Sequence, residues 1–184
     1  IPRGDWKETV LPKAQEIAAT LQEAGVRIEI DDREEYKPGW KFSEWEMRGV
    51  PLRLEIGPKD IEQSQVILVR RDTGEKIPVP MQGLSTQVTQ LLKTIQAALF
   101  ERAISFREEH THRAGSKDEF VRLFEGRPGY VVAPWCGGKA CEAKIKEQTQ
   151  ATIRNIPFDA ASSGSSCISC GEASQTDAYF AKSY

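Results

Sequence analysis

The sequence has no run of 18 or more apolar residues and no signal-peptide pattern, which predicts a soluble, cytoplasmic chain without a membrane-spanning helix. It also lacks a basic excess, since its 184 residues carry a net charge of −2. Any nucleic-acid site must therefore be a local patch. Only four cysteines are present, and without a secretion signal they favour metal or redox chemistry over disulfides.

Familiar catalytic motifs are missing as well. The sequence contains no Walker loop, no dinucleotide fingerprint and no Ser-His-Asp arrangement. Asp72-Thr73-Gly74 matches the aspartic-protease triplet, but its place between two short predicted strands favours an ordinary hairpin turn. His110 and His112 fall at the exposed end of a charged helix, where surface residues are more common than ligands. The sequence therefore predicts no catalytic residue in this chain.

The chain begins at Ile1, and a helix pattern starts within five residues of it. Residues 1–4 are typical of the end of a strand and the turn after it. We therefore expect the chain to begin inside a longer protein, with a processed or trimmed chain as the alternative.

Hydrophobic periodicity predicts an α/β arrangement over residues 5–79. The predicted helices cover residues 5–24, 41–48 and 58–63, and the predicted strands cover residues 26–30, 52–56, 66–69 and 76–79. Because strands alternate with helices, we expect a mixed, mostly parallel sheet flanked by helices, with only the last two strands antiparallel.

A long helix is predicted over residues 85–112, and the small residues that follow it mark a domain boundary. The first domain would comprise residues 1–114, and the second, a small zinc-binding α/β domain, residues 115–184. The second domain is predicted to contain a short helix near Phe120, a strand over residues 130–135, a helix over residues 139–150, a loop over residues 160–166 and extended segments over residues 153–158 and 179–184.

The four cysteines form two closely spaced pairs, which predicts a metal site. Cys136 and Cys141 make a C-x4-C pair, and Cys167 and Cys170 make a C-x2-C pair. Neighbouring glycines permit the tight turns with which two thiolates face one ion. Four protein ligands leave no open position, which is typical of structural rather than catalytic zinc. Redox chemistry at the second pair is the alternative, and it leaves the first pair unexplained.

Residues 39–60 interleave aromatic and charged side chains. The aromatics are Trp40, Phe42 and Trp45, and lysines, arginines and glutamates stand between and after them. This mixture suits unstacked RNA bases, since cations donate to guanine or phosphate acceptors and glutamate accepts from base N–H groups. Arg53 alternates with two leucines and so points away from the core. An ordinary amphipathic helix and strand explain the composition equally well.

This stretch, with the helix before it and the hairpin after it, resembles the anticodon-binding domain of class II aminoacyl-tRNA synthetases. The GWKFxxWE run at residues 39–46 and the cysteine spacing are most similar to prolyl-tRNA synthetase of the archaeal and eukaryotic type. That type carries a C-terminal zinc-binding domain and ends in a tyrosine, as this chain does at Tyr184. No Gly-rich class II motif ending in arginine is present, so we expect the C-terminal portion of the enzyme, with the first strand of the anticodon domain before Ile1.

The resemblance implies partners and cofactors. The portion would recognise the tRNA for proline and support the enzyme's own catalytic domain, which binds ATP and Mg²⁺ and is not present here. The full enzyme would be a homodimer without a membrane partner, and Zn²⁺ would be the structural cofactor of this portion.

The resemblance also implies site residues. Glu46, Arg53 and Lys59 would approach the two adjacent guanines of a proline anticodon, and Trp40 and Lys41 would join the anticodon-binding surface. The carboxylate of Tyr184 would reach toward the synthetase active site, and no residue of this chain would be catalytic.

Two other functions stay open from the residues alone. One is a freestanding zinc-containing RNA-binding module without catalysis, and the other is a redox-sensing protein that uses the cysteines. A catalytic domain upstream of Ile1 would decide for the synthetase over the first alternative, and bound zinc would decide against the second.

Overall fold

The computed structural model describes residues 5–126, 129–159 and 164–182, so the expected strand end at residues 1–4 and Tyr184 lie outside the described residues. The chain divides into two compact units, Ile1–Glu101 and Arg102–Tyr184. The domain boundary expected at residue 114 stays a prediction. Within the described ranges, no helix combines the length and the apolar character needed to cross a membrane.

The first unit packs helices against a three-stranded sheet. Its elements in chain order are α1 (Trp6–Thr9), α2 (Leu11–Glu23), α3 (Pro38–Met47), β1 (Leu52–Glu55), α4 (Pro58–Glu62), β2 (Gln65–Arg70), β3 (Lys76–Pro80) and most of α5 (Leu84–Glu109). The single helix expected over residues 5–24 is interrupted at Val10. Pro12 lacks the N–H that would bond to the carbonyl of Glu8, which accounts for the interruption.

The strands of the first unit run antiparallel, which corrects the expectation of a mostly parallel sheet. β2 lies between β1 and β3 and pairs antiparallel with both. Only residues 56–64 join β1 to β2, whereas a parallel crossover needs about a dozen residues or more. Residues 26–30, which were expected to form a strand, belong to none of the strands within the described residues. They line an apolar groove of about 500 Å³, which β1 also lines. The mixed α/β class with helix-flanked sheets is confirmed.

Alternation along β1 separates the core of the first unit from the outer face of its sheet. Leu52 and Leu54 pack against the apolar core, which includes the fully buried Val66. Because successive side chains of a strand point to opposite faces, Arg53 and Glu55 lie on the other side. The sheet therefore presents two charged residues on the face that does not contact this core.

The second unit contains a four-stranded mixed sheet. After the end of α5, its elements are β4 (Thr111–Arg113), α6 (Lys117–Glu125), β5 (Tyr130–Trp135), α7 (Lys139–Thr149), β6 (Ala151–Asn155) and β7 (Thr176–Lys182). The strand order is β4-β5-β7-β6, with β4 and β5 parallel and the other two pairs antiparallel. Phe120 and Phe180 form the centre of the core, where their rings meet edge to face at 5.2 Å.

The strand β4 differs from the helix expected up to residue 112. α5 ends at Glu109, and the N–H of Tyr130 donates to the carbonyl oxygen of His110 at 2.8 Å. A Cβ at Gly129 would lie 2.4 Å from that same oxygen, so only glycine permits this approach. The long-range pairing with β5 thus overrides the local helical preference.

Candidate nucleic-acid interface and metal centre

The side chain of Arg53 is held by three neighbours on the outer face of the first sheet. Its Nη1 donates to Glu46 Oε1 at 2.6 Å, and its Nε donates to Glu55 Oε1 at 2.9 Å. The guanidinium carbon lies 3.9 Å from the centroid of the Phe42 ring. Only 19% of the Arg53 side chain is exposed, so the residue is fixed rather than free in solvent.

The helix α3 supplies the other half of this arrangement. Pro38 occupies its first turn, where a missing N–H costs nothing because that group has no intrahelical partner. Phe42 and Glu46 are four residues apart and therefore share one flank of the helix, facing Arg53. Glu46 keeps 49% of its side chain exposed, so this pair stands at the surface, with a donor and an acceptor side by side.

Asp31 links α3 to the segment before it through hydrogen bonds and an ion pair. Its carboxylate accepts hydrogen bonds from Arg33 at 2.7 and 2.9 Å and from Trp45 Nε1 at 2.8 Å. Lys41 Nζ lies 3.3 Å from the same carboxylate and donates to the Asp31 carbonyl at 3.0 Å. The Arg33 hydrogen bonds, with those of Trp45 and Lys41, outweigh burial and hold the pKa of Asp31 well below its usual range.

Lys41, which was expected to be a site residue, therefore stabilises the position of α3. Only 7% of the residue is exposed, and its ammonium group is occupied by Asp31. The resemblance had placed Lys41 on the anticodon-binding surface together with Trp40. Position 41 instead shares the inward flank with Trp45, four residues on.

Trp40 lies on a different flank of α3 from Phe42. It is 47% exposed and stacks on Tyr36 with ring centroids 3.9 Å apart and an interplanar angle of 13°. The guanidinium carbon of Arg33 lies 5.5 Å from the Trp40 ring and 5.0 Å from the Tyr36 ring. This exposed aromatic pair beside a cation is a surface on which an unstacked base can stack.

Lys59 stands in the first turn of α4, which follows β1. The turn is fixed by the N–H of Gly57, which donates to Asp60 Oδ2 at 2.8 Å. Lys59 is exposed, and its ammonium group has no hydrogen-bond or ion-pair partner within the described part of the chain. The structure thus brings Glu46 and Arg53 into contact, while Lys59 is a separate cation after the same strand.

The four cysteines converge in the second unit. Their sulfur atoms all lie within 4.8 Å of one another, and two of the separations are 3.6 Å (Cys136 to Cys141) and 3.8 Å (Cys170 to Cys136). Four sulfurs bound at about 2.3 Å to one tetrahedral ion stand about 3.8 Å apart, whereas a disulfide requires about 2.05 Å. The cluster therefore fits one metal ion and not two disulfides.

Local backbone geometry builds this cluster. Cys136 follows β5, Cys141 lies in the first turn of α7, and the second pair forms a turn in which the N–H of Gly171 donates to the carbonyl of Cys167 at 2.9 Å. Gly137 has φ of +82°, and a Cβ there would lie 2.6 Å from the side chain of Gln175. The Gln175 side chain could move aside, but the positive φ favours glycine in this turn between Cys136 and α7.

The thiols of the cluster have unequal acidity. Burial raises the pKa of Cys141 to about 12, and the thiols of Cys136 and Cys170 add to the rise. Burial also acts to raise the pKa of Cys167, but backbone N–H groups of Cys170, Ser169 and Cys136 outweigh it and lower the pKa to about 7. Those backbone donors stabilise a thiolate, which is the form that binds metal ions.

Some parts of the site were not singled out by sequence reasoning. Asp31, which binds Trp45 and Lys41, was not considered. Phe42 and Glu55, which hold Arg53, were noted only as part of the interleaved stretch and were given no individual role. The usable signal for Glu55 was its spacing, because it follows Arg53 by two residues in a strand and must share its face. The predicted role of Tyr184 falls outside the described residues and stays a prediction.

Comparison with known proteins finds a family match within each unit. Residues 1–91 match the family model "Anticodon binding domain", and residues 117–184 match "Prolyl-tRNA synthetase, C-terminal". The chain is 44% identical over 184 residues to proline–tRNA ligase 2 of Clostridioides difficile, covering 100% of this chain and 38% of that protein. It is 47% identical over 180 residues to proline–tRNA ligase of Natranaerobius thermophilus, covering 97% of this chain and 37% of that protein. The chain thus spans little more than a third of the length of these relatives.

Proposed function

The chain carries the anticodon-binding and C-terminal domains of prolyl-tRNA synthetase, and we propose that it recognises the anticodon of the tRNA for proline. The whole enzyme would join proline to that tRNA using ATP. In that enzyme this portion selects the RNA, while the catalytic domain would bind ATP and Mg²⁺ and make the bond.

The observation that supports this function best is the adjacent Glu46–Arg53 pair beside the Phe42 ring. Every proline codon begins with two cytosines, so every proline anticodon carries two adjacent guanines. A guanine has N–H donors next to its O6 acceptor, with N7 on the far side. A carboxylate next to a guanidinium matches that order of donors and acceptors, and the aromatic ring fixes the plane of the guanidinium.

We assign the expected site residues to distinct roles within this function. Glu46 accepts from guanine N–H groups, and Arg53 donates to guanine acceptors. Lys59, an exposed cation, contacts the same bases or their phosphates. Trp40 stacks an unpaired base, and Lys41 acts indirectly by holding Asp31 and α3 in place.

The simplest competing interpretation is that Glu46 and Arg53 form only a surface ion pair. Such pairs contribute about 1 kcal/mol at most, and they carry no base preference. The buried contact of Arg53 with Glu55 and its packing on Phe42 favour a preorganised site, because neither is needed for a solvent-exposed pair.

For the second unit we propose that Cys136, Cys141, Cys167 and Cys170 hold one Zn²⁺ ion. The spacing of the sulfurs and the absence of an open ligand position support a structural role. The ion would link the turn at Cys167 to the end of β5 and the start of α7. It would contribute folding free energy and no reaction step.

We also propose that the enzyme has the domain arrangement of the archaeal and eukaryotic type, which places a cysteine-bearing domain after the anticodon domain. The relatives named above are bacterial, so this type describes domain order and not the source organism. A homodimer in the cytoplasm is the expected form of the whole enzyme.

The function is tested with a hairpin RNA that carries the two adjacent guanines in its loop. The purified chain should bind this RNA more tightly than RNAs in which either guanine is replaced by adenine, by about tenfold. Arg53→Ala should remove the preference at one of the two positions, whereas Arg27→Ala, an exposed arginine before α3, should retain it. Equal binding of all three RNAs by the unaltered chain would refute anticodon recognition.

A further inference from the structure

The carboxylate of Glu55 is buried at the edge of the proposed RNA site, and the function proposed above gives this residue no role of its own. Only 7% of its side chain is exposed, although an isolated buried charge is strongly unfavourable. Its two oxygens have separate cationic partners. Oε1 accepts from Arg53 Nε at 2.9 Å, and Oε2 lies 3.5 Å from the ammonium of Lys76.

The contact with Glu55 is the firmer of the two ionic contacts of Arg53. The other partner, Glu46, is 49% exposed, and an exposed ion pair holds its partners weakly. Glu55 is fixed by the ladder between β1 and β2, where it pairs with Ile67, and by burial of its side chain. The orientation of the guanidinium is therefore determined by Glu55 on one edge and by the Phe42 ring on one face.

In this orientation, a defined set of the N–H donors of Arg53 remains available to a ligand. A guanidinium has five N–H groups, of which Arg53 uses the one on Nε for Glu55 and one on Nη1 for Glu46. The remaining three, two on Nη2 and one on Nη1, have no hydrogen-bond partner among the residues that the structure describes. Two parallel N–H groups of an arginine match the O6 and N7 acceptors of guanine.

We propose that Glu55 is the positioning residue that aims Arg53 at the O6 and N7 atoms of an anticodon guanine, with Lys76 balancing its second oxygen. The inference rests on the proposed anticodon-binding function and adds a residue that sets base selectivity without touching RNA. Loss of Glu55 would leave Arg53 in contact with Glu46 and Phe42 but would remove the contact that fixes its Nε edge. The chain would therefore retain RNA affinity and lose part of its selectivity.

The test uses base analogues that remove one guanine atom group at a time. Hairpin RNAs carry guanine, 7-deazaguanine, which lacks N7, or inosine, which lacks the 2-amino group, at each of the two anticodon positions. Binding is measured by fluorescence anisotropy for the unaltered chain and for Glu55→Ala and Glu55→Gln. Glu62→Gln is the matched control, since this exposed glutamate on α4 has no ionic partner within the described ranges.

The unaltered chain should bind the 7-deazaguanine RNA about tenfold more weakly than the guanine RNA at the position that Arg53 contacts. Glu55→Ala should reduce this ratio to about twofold, while the inosine ratio, which reports on Glu46, stays unchanged. Glu55→Gln keeps an oxygen that can accept from Arg53 Nε and should give an intermediate ratio. Glu62→Gln should behave as the unaltered chain does.

A purely structural role for Glu55 would weaken the binding of all three RNAs by the same factor and leave both ratios intact, which would overturn the proposal. If Glu55→Ala fails to fold, the ratio measured with Glu55→Gln decides. An unaltered chain with no preference among bases would refute the anticodon-binding function itself. If the unaltered chain shows the expected base preference and both Glu55 variants show the same preference, only the role of Glu55 is refuted.

Discussion

Arg53 on β1 and Glu46 on α3 are joined by a 2.6 Å hydrogen bond across two elements that are separated by only residues 48–51. The pair combines one half-exposed carboxylate with one largely buried guanidinium. Such asymmetry is expected where the carboxylate must remain available to a ligand and the cation must be held still.

Because of this asymmetry, Glu46→Ala should weaken RNA binding with little effect on the stability of the fold. Because the Glu46 side chain is 49% exposed, its removal should lower the free energy of unfolding by less than about 1 kcal/mol. The same change should weaken binding of the two-guanine hairpin RNA about tenfold, since a base-specific contact is lost. Urea unfolding and anisotropy titrations measure the two effects. A variant that loses stability and affinity in proportion would show that Glu46 is a structural residue.

The exposed Trp40–Tyr36 stack predicts a base-stacking contact. Trp40→Ala should weaken binding of the hairpin RNA about fivefold to a hundredfold, the range expected for one stacked base. Trp40→Phe keeps an aromatic face and should recover most of the affinity. Met47→Ala is the control, because this residue is 90% exposed on the same helix.

Loop RNAs with a single abasic position locate the stacked base. At the position that stacks on Trp40, removal of the base should weaken binding to the unaltered chain and have no further effect on Trp40→Ala. Additive losses at every loop position would exclude a direct contact between Trp40 and a base.

Much of the site could be predicted from the sequence, because its signals are local. The spacing of Cys136, Cys141, Cys167 and Cys170 predicts one cluster, and the structure brings the four sulfurs together. Strand alternation predicts the outward direction of Arg53. The first prediction depends on the short spacing within each cysteine pair and on the four ligands that a structural zinc requires, and the second depends on the period of the strand.

Other features could not be predicted, because they depend on contacts between distant residues. The burial of Lys41 follows from Asp31, which is ten residues away. The strands of the first sheet run antiparallel because the link between β1 and β2 is short. Helix–strand alternation alone had predicted a mostly parallel sheet. The strand β4 forms only because Gly129 allows the chain to approach His110.

The cysteine cluster predicts that zinc stabilises the second unit. Metal ligation in small structural sites contributes on the order of 10 kcal/mol of folding free energy, so Cys170→Ser should destabilise residues 102–184 strongly. Ser165→Ala, an exposed neighbour in the same loop, should have no effect. Hydrogen–deuterium exchange would show faster exchange in α7 and β7 and unchanged exchange in α2 and β2. Purified chain that contains no zinc and has four freely reactive thiols would contradict the prediction.

The carboxylate of Asp31 binds Arg33, Trp45 and Lys41, and its charge should stabilise the fold. Asp31→Asn leaves the ammonium of Lys41 nearly buried without its counter-charge, and breaking such a pair costs on the order of 3 kcal/mol. The variant should therefore unfold at lower urea concentration at neutral pH. Asp32→Asn, which changes an exposed neighbour, should match the unaltered chain.

The pH dependence of this difference follows from the lowered pKa of Asp31. A carboxyl group with a lower pKa in the folded than in the unfolded chain stabilises the fold above its ordinary pKa of about 4, and this contribution is lost as the pH falls further. The unaltered chain should thus exceed Asp31→Asn in stability at pH 7, and the gap should narrow steadily below about pH 4. Urea unfolding at several pH values between neutral and acidic measures this gap. A gap that stays constant into the acidic range would show that Asp31 stabilises α3 by packing and not through its charge.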